Sequence, residues 1–309
     1  MINYSIIIPH HNIPTLLRRC LDSIPERDDI QVIVVDDNSD PNRVDFKSFP
    51  GIDRKNVEIY YTKEGKGAGF ARNIGLKHAK GKYLIFADAD DYFEDGLDKL
   101  LDRHLISLDD ITYYGITCKD SDTLEVVTND PREFKYTNLM DNYFKTYDNS
   151  LLNWKPTNIL NVPWGKIIKR DLITRYGILF DEVMAGNDML FSLKCSLCAT
   201  KITASPSKLY CVTTRLGSLS KSSYNSFMRR NRFEAAIHLN DYLYSVKVYE
   251  RRYNLFILGI QYMSECKRDL CWALRMALIK TALYALPVDI IKAFFFVIKR
   301  GIQKLMQLC

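Results

Sequence analysis

Four short apolar runs constrain this chain more than any other feature. Residues 4–9 (YSIIIP) and 30–35 (IQVIVV) are of strand length, continuously apolar and rich in β-branched side chains. A strand buried on both faces reads this way, whereas a half-buried strand alternates. Val57 to Tyr61 is a third strand of the same length, and Tyr83 to Ala87 a fourth. Between the first two, Thr15 to Ile24 has apolar residues at 16, 17, 20, 21 and 24, the spacing of a helix. A glycine-rich turn and a helix from about Ala68 to Ala79 separate the third from the fourth. This alternation predicts an α/β fold with a parallel sheet covered by helices. Ligands of such sheets sit beyond the carboxyl ends of the strands. That rule gathers Pro9–Asn12, Asp36–Asp40 and Asp88–Asp91 at one rim.

The fourth strand ends abruptly in three carboxylates, Asp88, Asp90 and Asp91. Side chains alternate along a strand, so Asp88 and Asp90 would point the same way if the strand ran one step further. Two carboxylates so placed repel each other unless something positive lies between them. A hard divalent cation held through oxygen, Mg²⁺ or Mn²⁺, resolves the repulsion and keeps places open for substrate phosphates. A solvated acidic turn opening the next helix is the plainer alternative, since Asp is favoured at N-caps.

Other constellations divide in the same way. Asp36 and Asp37 end the second strand, where a carboxylate can accept from a base N–H or a ribose hydroxyl, or can merely serve the turn. Gly65, Gly67 and Gly69 precede Arg72 in GKGAGFARN, but the motif follows the third strand rather than the first. Arg72 also occupies the last glycine position, so this is no dinucleotide fingerprint. An arginine in a first helical turn facing the strand ends is better suited to a phosphate or base. Gly186-Asn187-Asp188 opens an amphipathic helix, about 188–199, in which Asp188 is either a cap or a general base for a hydroxyl. Arg215, just past a strand at 208–214, is either an ordinary exposed arginine or lies where a loop can close over a diphosphate.

The remainder of the first part reads as strand-like pieces at 111–117 and 123–128, a helix at 137–147 and a Pro/Trp/Gly segment at 156–165. After Tyr224 the pattern is helical, over 227–248, 253–265, 268–285 and 288–308. The 309 residues are therefore expected to divide near 220–230, into residues 1–225 and a helical region 226–309. No basic leader precedes the first strand, so no secretory signal is expected. The eight cysteines are scattered, as in a reduced compartment. Cys195 and Cys198 form an isolated CxxC at helical spacing inside an apolar run, read as two buried thiols rather than a zinc or redox site.

Charge is uneven. From Cys266 to Cys309 eight Lys/Arg stand against two Asp, a surplus of 8 − 2 = +6 that equals the net charge of the whole chain. A neutral remainder argues against nucleic acid as a partner. Apolar stretches at 271–286 and 290–298 are interrupted by Arg275, Lys280, Pro287, Asp289 and Lys292, short of the roughly 20 residues a spanning helix needs. Basic amphipathic helices of this kind lie in anionic membrane interfaces or pack as a bundle.

Taken in order, Pro9-x-x-Asn12, VVDDNSD, GxGFARNIGL, a strand ending in DADD, WGKIIKRDLI at 164–173, GND at 186–188 and RLGSLS at 215–220 resemble the family 2 glycosyltransferases. The resemblance covers residues 1 to about 225. It implies the GT-A fold and inverting transfer from a nucleotide-diphosphate sugar, a UDP-sugar foremost, to a hydroxyl of a glycan or lipid-linked acceptor. A hexosyl- or N-acetylhexosaminyl-transferase of bacterial surface polysaccharide synthesis is implied, cytoplasmic and peripheral at the inner membrane face. Pro9, Asn12, Asp37, Arg72, Asp88 and Arg215 would then bind the donor. Asp90, with Asp88, would hold Mn²⁺ or Mg²⁺, and Asp188 would be the base. Trp164, Lys166 and Asn187 would stand on the acceptor side. His11 replaces a frequent aromatic, Asn187 replaces a usual Glu, and the QxxRW motif of processive synthases is absent. A sugar-phosphate nucleotidyltransferase would need a glycine-rich basic loop after the first strand, which PHHNIPT is not. A non-catalytic scaffold would have no need of Asp37, Asp88, Asp90 and Asp188.

Overall fold

The computed structural model describes residues 1–134, 136–138, 161–215, 226–249, 252–263, 266–284 and 287–306. Two compact units are distinguished, Met1–Ser218 and Leu219–Cys309.

In the first unit, β1 (Tyr4–His10), α1 (Pro14–Asp22), β2 (Ile30–Asp37), β3 (Val57–Thr62), α2 (Ala68–His78) and β4 (Tyr83–Phe86) follow the expected alternation. Strands β1, β2 and β4 are buried along their whole length, as their unbroken apolar sequences require. They pair in parallel, Ile6 against Val32 and Ile85, and β3 joins β2 in the same sense. Pairing with β4 ends at Ile7, whereas pairing with β2 continues to His10. Helix α2 closes on this sheet at Gly75, where an added Cβ would stand 2.4 Å from Cγ2 of Ile7.

The second half reverses direction. After β5 (Tyr92–Phe93), α3 (Leu97–His104) and β6 (Ile111–Asp120) come β7 (Lys166–Lys169), α4 (Arg170–Tyr176), α5 (Asn187–Cys198) and β8 (Ile202–Thr214). The described residues form one eight-stranded sheet in the order β3-β2-β1-β4-β7-β6-β8-β5. Strand β7 runs antiparallel between β4 and β6, and β5 is antiparallel to β8. The pairing of β6 with β8 shifts register around Gly115, opposite the Ser205–Lys208 stretch that contains Pro206. A proline has no ladder donor, so a bulge is where a strand tolerates one.

Several expectations need correction. Residues 123–128 are not a strand; only Lys119 and Val126 form a bridge. Asp120 Oδ1 accepts from the backbone N–H of Asp122 and of Thr123, and this local turn chemistry prevails over the apolar character of Leu124 and Val126. Arg72 is the fifth residue of α2, in its second turn rather than its first, because Gly67 is the N-cap. The helix expected at 137–147 falls almost wholly outside the described residues, as do positions 156–160 and 216–220.

The second unit contains α6 (Ser226–Ser245), α7 (Leu255–Met263), α8 (Lys267–Tyr284) and α9 (Pro287–Met306). Its own small core is built on Phe233, Ile237, Leu255, Phe256, Ala273 and Ala277. Arg252 pairs with Asp289 at 2.9 Å and Lys280 with Asp241 at 2.6 Å.

Candidate active site

The rim predicted from the strand ends exists, and side chains tie its loops together. Asn12, held at a left-handed φ of 60°, accepts at its Oδ1 from the N–H of Asp40 (2.7 Å). Its own N–H donates to Ser39 Oγ (2.8 Å), so the loop after β1 is fastened to the loop after β2. Pro9 is buried in β1 opposite Val35.

The two aspartates ending β2 face opposite sides, as alternation requires. Asp37 accepts from Thr62 Oγ1 (2.9 Å) and from the N–H of Gly67 (2.5 Å), which holds the glycine-rich turn at the rim. Each oxygen keeps a further lone pair for a ligand. Asp36 lies inward against His10 and Ser39. His10 accepts at Nε2 from the N–H of Ile13, so the proton sits on Nδ1 and is donated to Asp36 at 2.7 Å. Burial alone would raise the Asp36 carboxyl, but donors from His10 and Ser39 outweigh it and hold the group below its ordinary range.

The acidic stretch after β4 is not extended. The N–H of Asp91 donates to the carbonyl of Asp88 at 3.0 Å, so Asp88 to Asp91 form a tight turn. The reasoning from strand alternation therefore needs correction, although Asp88 and Asp90 remain electrostatic neighbours. Burial first, and then the charge of Asp88, raise the Asp90 carboxyl above its usual range. Asp88 is ion-paired to Arg72 (2.5 Å), and Asp90 faces Arg215 at 3.6 Å.

A frame of residues that sequence reasoning missed fixes this turn. The N–H of Asp88 donates to the Tyr210 hydroxyl (2.8 Å), whose proton goes to Asp91 Oδ2 (3.0 Å). The N–H of Thr213 donates to Asp91 Oδ1 (2.6 Å), and Thr213 Oγ1 to the carbonyl of Asp90 (2.7 Å). Arg19 reaches from α1 to that same carbonyl (2.6 Å) and to the carbonyl of Ser121 (2.7 Å). Asp91 is thus a buried strut; burial, then the charges of Asp90 and Asp88, place its carboxyl well above the usual range. The sequence carries no signal for this frame, because Tyr210 and Thr213 look like ordinary strand residues.

Arg72 is the hinge of the site. Besides Asp88 it donates to Asn187 Oδ1 (2.9 Å), and its guanidinium lies over the Phe180 ring at 5.3 Å. It therefore links the strand-end turn to the start of α5. Gly69 makes the link possible: an added Cβ would stand 2.2 Å from the Asp181 carbonyl oxygen and 2.8 Å from Asn187 Cβ. Only glycine lets α2 approach so closely.

Asp188 does not cap α5. Gly186 is the N-cap, with φ 79°, and no side chain caps this helix. Asp188 is half-buried. Burial raises its carboxyl above the ordinary value, Arg72 and Lys166 pull it down, and Asp88 pushes it up. A carboxylate in such surroundings is suited to accept a proton. Asn187 is buried and occupied by Arg72. Trp164 stacks between Tyr136 (5.5 Å) and Tyr210 (5.7 Å). With exposures of 5% for Trp164 and 1% for Lys166, both back the site rather than line it. Cys195 and Cys198 are free thiols on α5, but only Cys195 is buried; Cys198, at the helix end, is half-exposed, which corrects the expectation of two buried thiols.

Among the described residues there is no group of three or more His, Cys, Asp or Glu placed to hold a metal ion. A magnesium-type ion held by two protein carboxylates, with phosphate oxygens and water completing its shell, needs no such group. The mutually repelling pair Asp88 and Asp90 fits that chemistry.

Comparison with known proteins agrees with this architecture. The family model described as Glycosyl transferase family 2 matches residues 5–177. Glycosyltransferase GlyA of Streptococcus pneumoniae is 30% identical over 232 residues, 70% of this chain and 31% of GlyA. Poly(ribitol-phosphate) beta-N-acetylglucosaminyltransferase TarS of Staphylococcus aureus is 27% identical over 243 residues, 73% of this chain and 38% of TarS. The match thus spans about a third of the length of these two relatives. The crystal structure of S. aureus TarS 1–349 in complex with UDP-GlcNAc superimposes with a TM-score of 0.57 at 22% identity, covering 78% of this chain and 67% of that one. The mannosyltransferase PcManGT from Pyrobaculum calidifontis in complex with GDP-Man and Mn²⁺ gives 0.52 at 19% identity, covering 98% and 80%. At such identities the likeness establishes the fold.

Proposed function

The chain belongs to glycosyltransferase family 2 and has the GT-A fold, and on that premise we propose that it transfers a sugar from a nucleoside diphosphate sugar to a hydroxyl of a glycan or lipid-linked acceptor. The setting is assembly of a surface polysaccharide, the donor is a UDP-sugar, and residues 1–225 carry the reaction. One observation supports this reading above the others: Arg72 joins the Asp88 turn to Asn187, next to Asp188. Donor-type carboxylates and a candidate base are thereby held in one construction.

Asp37, through its remaining lone pairs, receives the base, and Asn12 and Pro9 shape the loop beside it. Asp88 faces the ribose side, while Asp90, with Asp88, would hold Mn²⁺ or Mg²⁺. Such an ion supplies positive charge where the diphosphate departs. Arg215, a third of whose side chain is exposed, is the arginine free to meet the diphosphate. The nearly buried Arg72 keeps Asp88 oriented. Asp188 accepts the proton of the acceptor hydroxyl as that oxygen bonds to the anomeric carbon. The bond from that carbon to the diphosphate oxygen breaks on the opposite face, so the configuration inverts. Negative charge collects on the leaving diphosphate, where preorganised cations act most strongly.

The tail, 226–309, serves as a peripheral membrane contact on the cytoplasmic face. Helix α9 leaves Ile291, Phe294 and Phe295 exposed beside Lys292 and Lys299, the composition of an interfacial helix. No helix among the described residues is long and apolar enough to cross a membrane.

Thermal-shift screening of nucleotide sugars with Mn²⁺ and Mg²⁺ identifies the donor. Asp188→Asn then abolishes transfer while binding of the nucleoside diphosphate persists. Transfer at an undiminished rate in that variant would remove Asp188 from the mechanism.

A further inference from the structure

Lys166 is a buried cation to which the mechanism above assigns no task. It opens β7 with its side chain inside the core, Nζ lying over the Tyr113 ring at 5.1 Å. The ammonium donates to Ser192 Oγ at 3.4 Å, and the Ser192 hydroxyl donates to the carbonyl of Asn161 at 2.9 Å. Withdrawing an ammonium from water is costly unless negative charge lies close by.

Helix α5 brings that charge. Residues 188, 191, 192 and 195 share one face at helical spacing, and Phe191, Ser192 and Cys195 are buried. Asp188 therefore stands one turn before the serine that Lys166 grips. The electrostatics agree with the register: burial lowers the Lys166 ammonium to about 8, and Cys195 and Asp188 oppose the fall. In the other direction Lys166 opposes the rise that burial imposes on Asp188. Arg72 of α2 acts on Asp188 in the same sense as Lys166, and Asp88, in the turn after β4, acts against both.

We propose that Lys166 is a positioning residue: from beneath α5, anchored on Ser192, its ammonium keeps the Asp188 carboxylate charged and in place to receive the acceptor's proton. The inference rests on Asp188 as the base. It gives the residue expected on the acceptor side an action through another side chain.

The deciding experiment titrates the Asp188 carboxyl by carbon-13 NMR in the full chain, the resonance being assigned by its loss in Asp188→Asn. Lys166→Met removes the charge and keeps the apolar stem. The Asp188 midpoint then moves up by about one pH unit, the size of effect one nearby charge has on a buried carboxyl. Ser192→Ala, which removes the hydroxyl that accepts from the ammonium, moves it up by less. It decides the matter if Lys166→Met fails to give a folded amide spectrum. A midpoint unmoved in every folded variant overturns the proposal and leaves the base role standing. Undiminished transfer by Asp188→Asn would instead remove the base role without touching this pair, so the two failures are distinguishable.

Discussion

Gly69→Ala is the sharpest single perturbation of this site, because its effect follows from the space around one atom. The new Cβ would stand 2.2 Å from the Asp181 carbonyl oxygen, where ordinary contact begins at 3.4 Å. The segment before α5 must therefore retreat by 3.4 − 2.2 = 1.2 Å, and Asn187, whose Cβ is 2.8 Å away, must move with it. Overpacking of this kind costs about 1–3 kcal/mol. The better helix propensity of alanine offsets about 0.5–1 kcal/mol of that, leaving a net loss of up to about 2.5 kcal/mol. The larger effect is on turnover. For Asn187 the same reckoning gives 3.4 − 2.8 = 0.6 Å, which stretches its 2.9 Å hydrogen bond with Arg72, and a 1 Å misplacement around reacting groups costs on the order of 10²-fold in rate. Urea denaturation measures the first quantity, and release of nucleoside diphosphate from the donor measures the second. A variant as stable and as active as the parent would refute the claim that close approach at Gly69 builds the site.

Tyr210→Phe deprives both the Asp88 N–H and Asp91 Oδ2 of a partner. Stranding the buried Asp91 oxygen costs about 1–3 kcal/mol, and the partly buried Asp88 N–H adds to it; this is read as a lower denaturation midpoint, and an unchanged midpoint would show the turn needs no such clamp. Asp36 is held below the ordinary carboxylate range, so its stabilisation is complete above the unfolded value of about 3.9 and is lost as pH falls through the lower folded value. Asp36→Asn accordingly flattens the acid limb of the stability curve below about pH 4, and an identical limb would contradict the assignment. Full-length chain sediments with anionic vesicles, and a 1–260 truncation does so less; equal sedimentation would exclude the tail as the anchor.

Much of the sheet was legible because burial on both faces writes itself as continuous apolar sequence, as in β1, β2 and β4. The short elements were not. Strand β5 has two residues, too few for any period to show, and β7 has only Ile167 and Ile168 between two lysines, where the equally short β4 is apolar throughout. The aspartates after β4 stood out by composition, but alternation misjudged their geometry. Asp88 to Asp91 form a turn, and the turn is shaped by Tyr210 and Thr213, more than a hundred residues away in sequence. Arg72 and Asn187 were each readable as functional, whereas their pairing was not, since only tertiary packing at Gly69 brings α2 to α5. Trp164 and Lys166 were placed on the acceptor side by a motif, and a motif does not record that both are buried.

The most direct test of the account is a crystal structure of the full chain with UDP and Mn²⁺. The diphosphate should lie at the carboxyl ends of β1, β2 and β4, with the ion against Asp90 and Asp88, the base beside Asp37, and Asp188 facing the vacant sugar position. Nucleotide bound elsewhere, or bound at this rim with Asp90 turned away from the ion, would contradict it.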